Sequence, residues 1–397
     1  MRRRLKAESL WNHHAGEWRD PAQIASHWHD AGQVDPAMLE GSARGEWWDL
    51  LDQLGITLFV TREYEHLVIG LSASGGHPRI SFFPVPHPSG LVVNRATHCM
   101  YLASTRNPNQ VFVLKPAVGL LTRGDSRAKL GSSTPFVPVS TTFYPGCLYT
   151  HDLALMDGHL YANAVGHNSV VKLESDGSFR RVWWPKCIER AGQPIFEQNY
   201  IQLNSIAAGA TPRDSYYSAS SCSVGRLRPG HLRYKVDRQG VIFSGRTRQP
   251  MCAGLTRPHS ARLWKGDIWV ANSGYGELGY VTAGEFECVS RLPGWTRGVC
   301  FHGEVAFVGT SRIIPRFARY APGLDYAQSR CGVHAVCLKT GRVLASLEWP
   351  KANQIFAIDW ISNSVSSGFV FQAPRRRTSQ ELGVFYRYLT NHNLGAK

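Results

Sequence analysis

A six-bladed β-propeller, an all-β fold, is the class this sequence predicts, and three observations carry it. From Ile56 to about Phe371 the chain reads as short alternating strands, among them TLFVT, HLVIGLSA, RISFFPV, CMYLAST and QVFVL, with no helical stretch between them. Strand pairs in that rhythm argue against a parallel sheet with crossover helices. One pattern also recurs: a polar pair, an apolar alternation, a Gly turn and a second apolar strand, as in RPHSARLWKGDIWVANSGYGELG from Arg257 to Gly279. It returns in THDLALMDGHLYANAVG before and after Gly158 and in WTRGVCFHGEVAFVGTS around Gly303, and more loosely at His87, Asn204 and Asp359. Starts at 87, 151, 204, 259, 296 and 359 lie 64, 53, 55, 37 and 63 residues apart. These intervals centre near the blade period of propellers, roughly 40–50 residues, with room for inserted loops. A β-sandwich or two small barrels is the next architecture.

Three segments follow. Residues 1–54 read as a helical N-terminal extension: in GEWWDLLDQLG, Trp47, Leu50, Leu51 and Leu54 fall on one helical face, and Gly55 is placed to cap the C-terminus. Residues 55–372 form the propeller, and 373–397 a basic tail that ends in the weakly amphipathic ELGVFYRYL.

Composition narrows the function classes. The 397 residues include 12 Trp, 15 Tyr and 17 Phe, ample material for a core, with 38 Gly and 22 Pro for many turns. Charged residues make up 18%, as in a globular chain. With 44 Lys and Arg against 29 Asp and Glu the formal charge is +15, which biases the surface toward anionic partners. The basic residues are scattered, however, and no zinc-finger spacing, RNP-type motif or basic heptad is present. A small anionic molecule or a glycan is therefore expected before nucleic acid. The nine cysteines are odd in number and never spaced CxxC, which argues against a disulfide framework. The start, MRRRLKAESLWNHHAG, lacks the apolar core of a secretory signal, and no window resembles a membrane span. A cytoplasmic protein with reduced thiols is the expectation.

Propeller geometry gives the recurrent polar pair its meaning, because each blade's innermost strand lines the central channel. On this reading His87, His151 with Asp152, Asn204 with Ser205, His259 with Ser260, Thr296 with Arg297, and Asp359 converge at one mouth. Such residues can lock neighbouring blades by hydrogen bonds, or they can form a site. A divalent metal site would take His151 and His259 as nitrogen ligands, with Asn204, Asp359 or His87 completing the shell. Glycine-rich stretches at Ala73 and Ser273 open no helix after a strand and are turns, not phosphate loops. GxSxG is absent, and Cys222 in SASSCS has no identifiable base. In TRNPNQ, Arg106 or Asn109 could line the channel, although Asn and Pro favour a plain turn there.

The ordered series HPSGL, ASTRNPNQ, HDLALMDGHLYANAVG, VWWPKCIE, QLNSIA, RPHSARL, NSGYGELG, LPGWTRGVCFHGEVAFVGTS and RCGVHAV resembles a family of uncharacterised bacterial proteins of unknown function. The resemblance spans residues 56 to 362 and implies a β-propeller. Members of that family usually carry a His two residues before the central Asn, where this chain has Gln202, a departure that weakens a His-rich metal centre. More distantly, the chain is similar to the gluconolactonase and virginiamycin B lyase propellers, and that resemblance implies a divalent metal in the channel. Two function classes follow. One is a metal-assisted lyase or hydrolase acting on an acidic or glycosidic small molecule, with His151 or Asp152 handling protons and Arg297 holding a carboxylate. The other is a binding or scaffold propeller whose channel is polar for structural reasons.

Overall fold

A computed structural model of the chain describes residues 20–106, 109–118 and 134–373. The expectations for the first nineteen residues and for the tail beyond Ala373 lie outside the described residues. Among those described, six antiparallel sheets of four or five strands follow one another around an axis, beside a two-stranded hairpin at 189–194. Blade 1 comprises Pro88–Asn94, Cys99–Ser104, Asn109–Pro116 and Phe136–Tyr144; blade 2 comprises Thr150–Met156, His159–Ala164, Ser169–Leu173 and Phe179–Trp183. Blade 3 comprises Leu203–Ala207, Tyr216–Ala219, Gly240–Ser244 and Pro250–Leu255; blade 4 comprises Pro258–Trp264, Asp267–Asn272, Glu277–Thr282 and Glu285–Arg291. Blade 5 comprises Trp295–His302, Val305–Ser311, Gly332–Cys337 and Val343–Glu348.

Blade 6 closes the ring. Its inner strand, Ile358–Ser362, comes from late in the chain and pairs with Ile56–Arg62 from the early part, placing Asp359 opposite Phe59. Leu67–Ser74 and His77–Pro84 complete it, and Phe371–Ala373 adds a fifth, outer strand. Both ends of the propeller are thus joined by backbone hydrogen bonds within one sheet.

Before the propeller, helix α1 (Pro21–Ala31) starts at Asp20, whose side chain accepts from the Ala22 N–H at 2.9 Å, with Pro21 at the first turn. Helix α2 (Trp47–Leu54) ends at Gly55, whose φ of 62° is the left-handed cap expected of glycine. Its apolar face buries Trp47 and Leu51, with Trp47 edge-on to Phe307 at 6.0 Å between ring centroids. Between the helices Ser42–Arg44 is a strand paired with Val343–Glu348, so the extension also lengthens blade 5.

Inner-strand geometry determines what reaches the channel. In blades 1 to 5 the register of the inner strand against its neighbour shifts once, at Ser89–Gly90, His151–Asp152, Asn204, Ser260–Ala261 and Gly298. The recurrent polar pair of the sequence is therefore a recurrent bulge, which re-aims side chains that a regular strand would alternate. At blade 1 the bulge needs glycine, because a Cβ on Gly90 would stand 2.7 Å from the backbone of Asp152 in blade 2.

Candidate functional site

The residue immediately before each of four inner strands has a positive φ: His87 (43°), Tyr149 (49°), Gln202 (49°) and Arg257 (55°). Left-handed backbone at non-glycine residues is sparsely populated and concentrates at functional sites. Asn109 holds one of these turns, its Oδ1 accepting from the Tyr149 N–H at 3.0 Å. Tyr149, Gln202 and Arg257 all line one cavity at this mouth of the channel, of about 480 Å³.

Two insertions raise the cavity wall. The segment between the second and third strands of blade 3 contributes Arg228, Pro229 and Gly230, and the equivalent segment of blade 5 contributes Phe317 and Tyr320. Val236 of the first packs with Trp295, Ile313 and Tyr320 in one apolar cluster, so the two segments stand as a unit.

The charge in the cavity is lopsided. Among the described residues Arg106, Arg228, Arg257 and Arg297 line it with a single carboxylate, Glu63. Arg106 Nε lies 3.3 Å from Glu63. Arg257 donates to Gln202 and to Ser220 and lies 4.3 Å over the Tyr320 ring. Burial pushes the Arg257 guanidinium down to about 10. Arg297 is only 6% exposed and sits over the rings of Trp295 (4.5 Å) and Phe356 (4.9 Å). It makes no hydrogen bond among the described residues, and its Nε is buried without a partner. Burial lowers its proton affinity, with Tyr64 and Glu63 opposing that shift. Burial raises the Glu63 carboxyl above its usual range against the pull of Arg106 and Arg297.

His151 and His259 meet beneath Arg297, their ring centroids 6.3 Å apart. Burial, and then the charge of Arg297, pushes His151 down to about 3 and His259 well below its ordinary value, so both are neutral at pH 7. His259 Nδ1 lies 3.0 Å from Ser260 Oγ, while His259 Nε2 and His151 Nδ1 are buried without partners. Trp295 Nε1 is also buried without a partner. Unpartnered buried polar atoms of this kind are costly in a finished fold.

The other sequence candidates go elsewhere. Asp152 is not at this mouth: Arg262 grips its two oxygens at 2.7 and 3.0 Å, and the amides of Leu153 and Ile206 donate to it. Asp359 accepts from the amides of Val93 (2.7 Å) and Trp360 (2.9 Å) and pairs with Arg95. Asp359, Arg95 and Arg262 line a second cavity formed further along the inner strands, at the opposite end of the channel. Asn204 spends its amide on Pro258 O (2.9 Å) and Ser220 Oγ (3.0 Å), locking blade 3 to blade 4. His87 meets His66 (4.3 Å) and His27 (5.1 Å) edge-on, away from His151. The expected convergence of all six at one mouth is thus corrected: Asp152, in a bulge, and Asp359, in the regular inner strand of blade 6, both serve as blade-to-blade locks, as does Ser89, which donates to Thr150 O at 2.7 Å.

A metal does not fit this donor set. His151 and His259 offer two imidazoles beside a guanidinium, the carboxylate of the cavity, Glu63, is paired with Arg106, and among the described residues no three His, Cys, Asp or Glu are grouped to hold an ion. Arg228, Arg257 and Glu63 escaped the sequence reading. Arg257 stood in its opening motif, but nothing local says that a residue before Pro258 turns into the mouth. The one signal for Arg228 was the long interval between repeats, which marks an insertion.

The family model for Domain of unknown function (DUF4915) matches residues 45–369. The chain belongs to that family. No curated protein matches it. Among solved structures this family member is similar to a chain of the nidogen/laminin complex, at 8% identity and a TM-score of 0.50, covering 77% of this chain and 98% of that one. A protein of unknown function from Bacteroides caccae is 12% identical with a TM-score of 0.48, over 77% of this chain and 98% of that one. Virginiamycin B lyase from Staphylococcus aureus is 9% identical with a TM-score of 0.36, over 78% and 99%. At these identities the likeness concerns the fold alone. Among the described residues no helix is long and apolar enough to cross a membrane.

Proposed function

We propose that this DUF4915 protein binds a small anionic molecule in the cavity that Arg297 and His151 line. One observation carries the reading: a guanidinium more than nine-tenths buried lies against that cavity with no carboxylate bonded to it. Burying an unpaired charge is costly, and a bound anion removes the cost by a charge-assisted bond. Neutral His151 supports the reading, since it can donate to an anion without needing a proton from solvent. The cavity volume, about 480 Å³, suits a small ligand. Its aromatic walls, Tyr64 and Tyr149 among them, suit a sugar-like or cyclic body.

Glu63 favours a second reading, acid–base turnover of the same ligand as a lyase or hydrolase. A buried carboxyl whose proton affinity is raised by burial beside the anion site is the type of group that serves as a general acid. In that reading Glu63 and His151 handle protons, and Asp152, held by Arg262, takes no part. The nine free cysteines support a cytoplasmic, reducing location.

Isothermal titration calorimetry with citrate, sulfate and inorganic phosphate tests the binding reading. The wild-type chain should bind at least one of them in a one-to-one, salt-sensitive manner, and Arg297→Met should abolish it. Binding that survives the substitution, or no binding of any anion, overturns the proposal.

A further inference from the structure

We infer that the anionic group bound in this cavity is a phosphate monoester carried on a small organic body. The inference rests on the anion-binding reading above and narrows it by counting charge and donors. Of these four guanidinium groups, only Arg106 has a carboxylate partner among the described residues, Glu63; Arg257 donates to the uncharged Gln202 and Ser220. Arg228, Arg257 and Arg297 therefore leave a surplus of positive charge in one cavity. A carboxylate brings one charge on two oxygens. A phosphate monoester brings about 1.5 to 2 negative charges near pH 7 and three terminal oxygens.

The donors match that larger acceptor set. Arg297, Trp295 and His151 all line the cavity, and Arg297 Nε, Trp295 Nε1 and His151 Nδ1, a donor in one tautomer of the neutral ring, are buried without partners. These groups come from two blades: His151 from blade 2, Trp295 and Arg297 from blade 5. Donors that approach from different sides suit a tetrahedral group better than a planar one, whose acceptor sites lie close to one plane.

The ester, as opposed to free phosphate, follows from the rest of the lining. Beyond the arginines the cavity is walled by Tyr64, Tyr149, Val165, Phe317 and Tyr320, an apolar and aromatic surface that a bare inorganic ion would leave unused. A polymer such as nucleic acid is disfavoured, since the unpaired donors are buried at the base of a cavity and do not run along an open groove.

The test is calorimetric titration of the full chain at pH 7.5 and low salt with phenyl phosphate, phenyl sulfate, benzoate and inorganic phosphate. Phenyl phosphate should bind at least about tenfold tighter than phenyl sulfate, its monoanionic isostere, a factor that one further charge-assisted contact supplies. It should also bind tighter than inorganic phosphate, through the aromatic walls. Arg228→Ala, at an exposed rim position, should weaken phenyl phosphate more than benzoate and leave the fold intact. Equal binding of phenyl phosphate, phenyl sulfate and benzoate overturns the phosphate inference while the anion site stands. Inorganic phosphate binding as tightly as the ester overturns the ester. No binding by any of the four, together with none by citrate, removes the anion reading itself.

Discussion

His151 of blade 2 and His259 of blade 4 face each other across the channel with Phe356 as their shared neighbour, each ring edge-on to it at 5.3 and 5.4 Å. The same phenyl ring carries Arg297 at 4.9 Å. Phe356 thus supports three polar groups at the base of the cavity. Phe356→Ala should cost about 3–5 kcal/mol in chemical denaturation, as for other large buried aromatics, and should weaken anion binding in the folded protein. A loss of binding without loss of stability would contradict this role.

Arg297 trades stability for a site. Arg297→Met should raise stability by about 1–3 kcal/mol, read as a higher melting temperature, because an unpaired buried charge is removed. It should eliminate anion binding at the same time. A lower melting temperature would mean that Arg297 is held by the fold, not by a ligand.

Asp152 belongs to the frame. Asp152→Ala strands Arg262, only partly exposed at 20% of its side chain, and frees the Ile206 amide. Breaking a buried pair by removing one partner costs about 3–5 kcal/mol. Denaturant midpoints should report that loss, while anion affinity of the folded variant should stay within about twofold, for want of any contact with the cavity. A large loss of affinity at unchanged stability would return Asp152 to the site.

Acid should destabilise the protein through its neutral histidines. Burial holds His151 at about 3 and His334 at about 4, and His259 well below the ordinary value. An unfolded chain protonates these rings near pH 6.5, so below that pH the unfolded state binds more protons and stability falls as pH falls. The decline should run from about pH 6.5 to about pH 4, at up to about 1.4 kcal/mol per pH unit for each ring. Urea midpoints measured at pH 7.5, 6, 5 and 4.5 should descend steadily. A flat profile would mean that these rings are solvated in the native state.

The N-terminal region divides at Gly41. Deleting residues 1–40 should leave a cooperative melting transition, since the outer strand Ser42–Arg44 and α2 remain. Deleting through Leu54 should lower the transition markedly, because Trp47 and Leu51 are fully buried against the propeller. Equal melting of the two truncations would show that α2 contributes nothing to the core.

The blades were legible because their signals are local. Apolar alternation, Gly turns and the recurrent polar pair mark the starts of all six inner strands, and Gly55 announces the end of α2. Which end of the channel a polar residue serves was not legible. Neighbours such as His151 and Asp152 are adjacent in sequence yet go to different tasks, because the bulge between them rotates one toward the mouth and the other toward Arg262 of blade 4.

The sequence by itself determined a ring of six antiparallel blades, an N-terminal helix with a glycine cap and a surplus of basic residues, since periodicity, turn chemistry and composition depend only on near neighbours. Tertiary structure alone decided where that surplus is concentrated. Arg106, Arg228, Arg257 and Arg297 come from an inter-strand turn, an insertion, a left-handed residue before a strand and a bulged strand. Only closure of the ring, with Ile358–Ser362 paired to Ile56–Arg62, brings them around one cavity. Their lack of enough carboxylates there is a fact of three dimensions, because charge neutralisation depends on distance through space and not on separation along the chain.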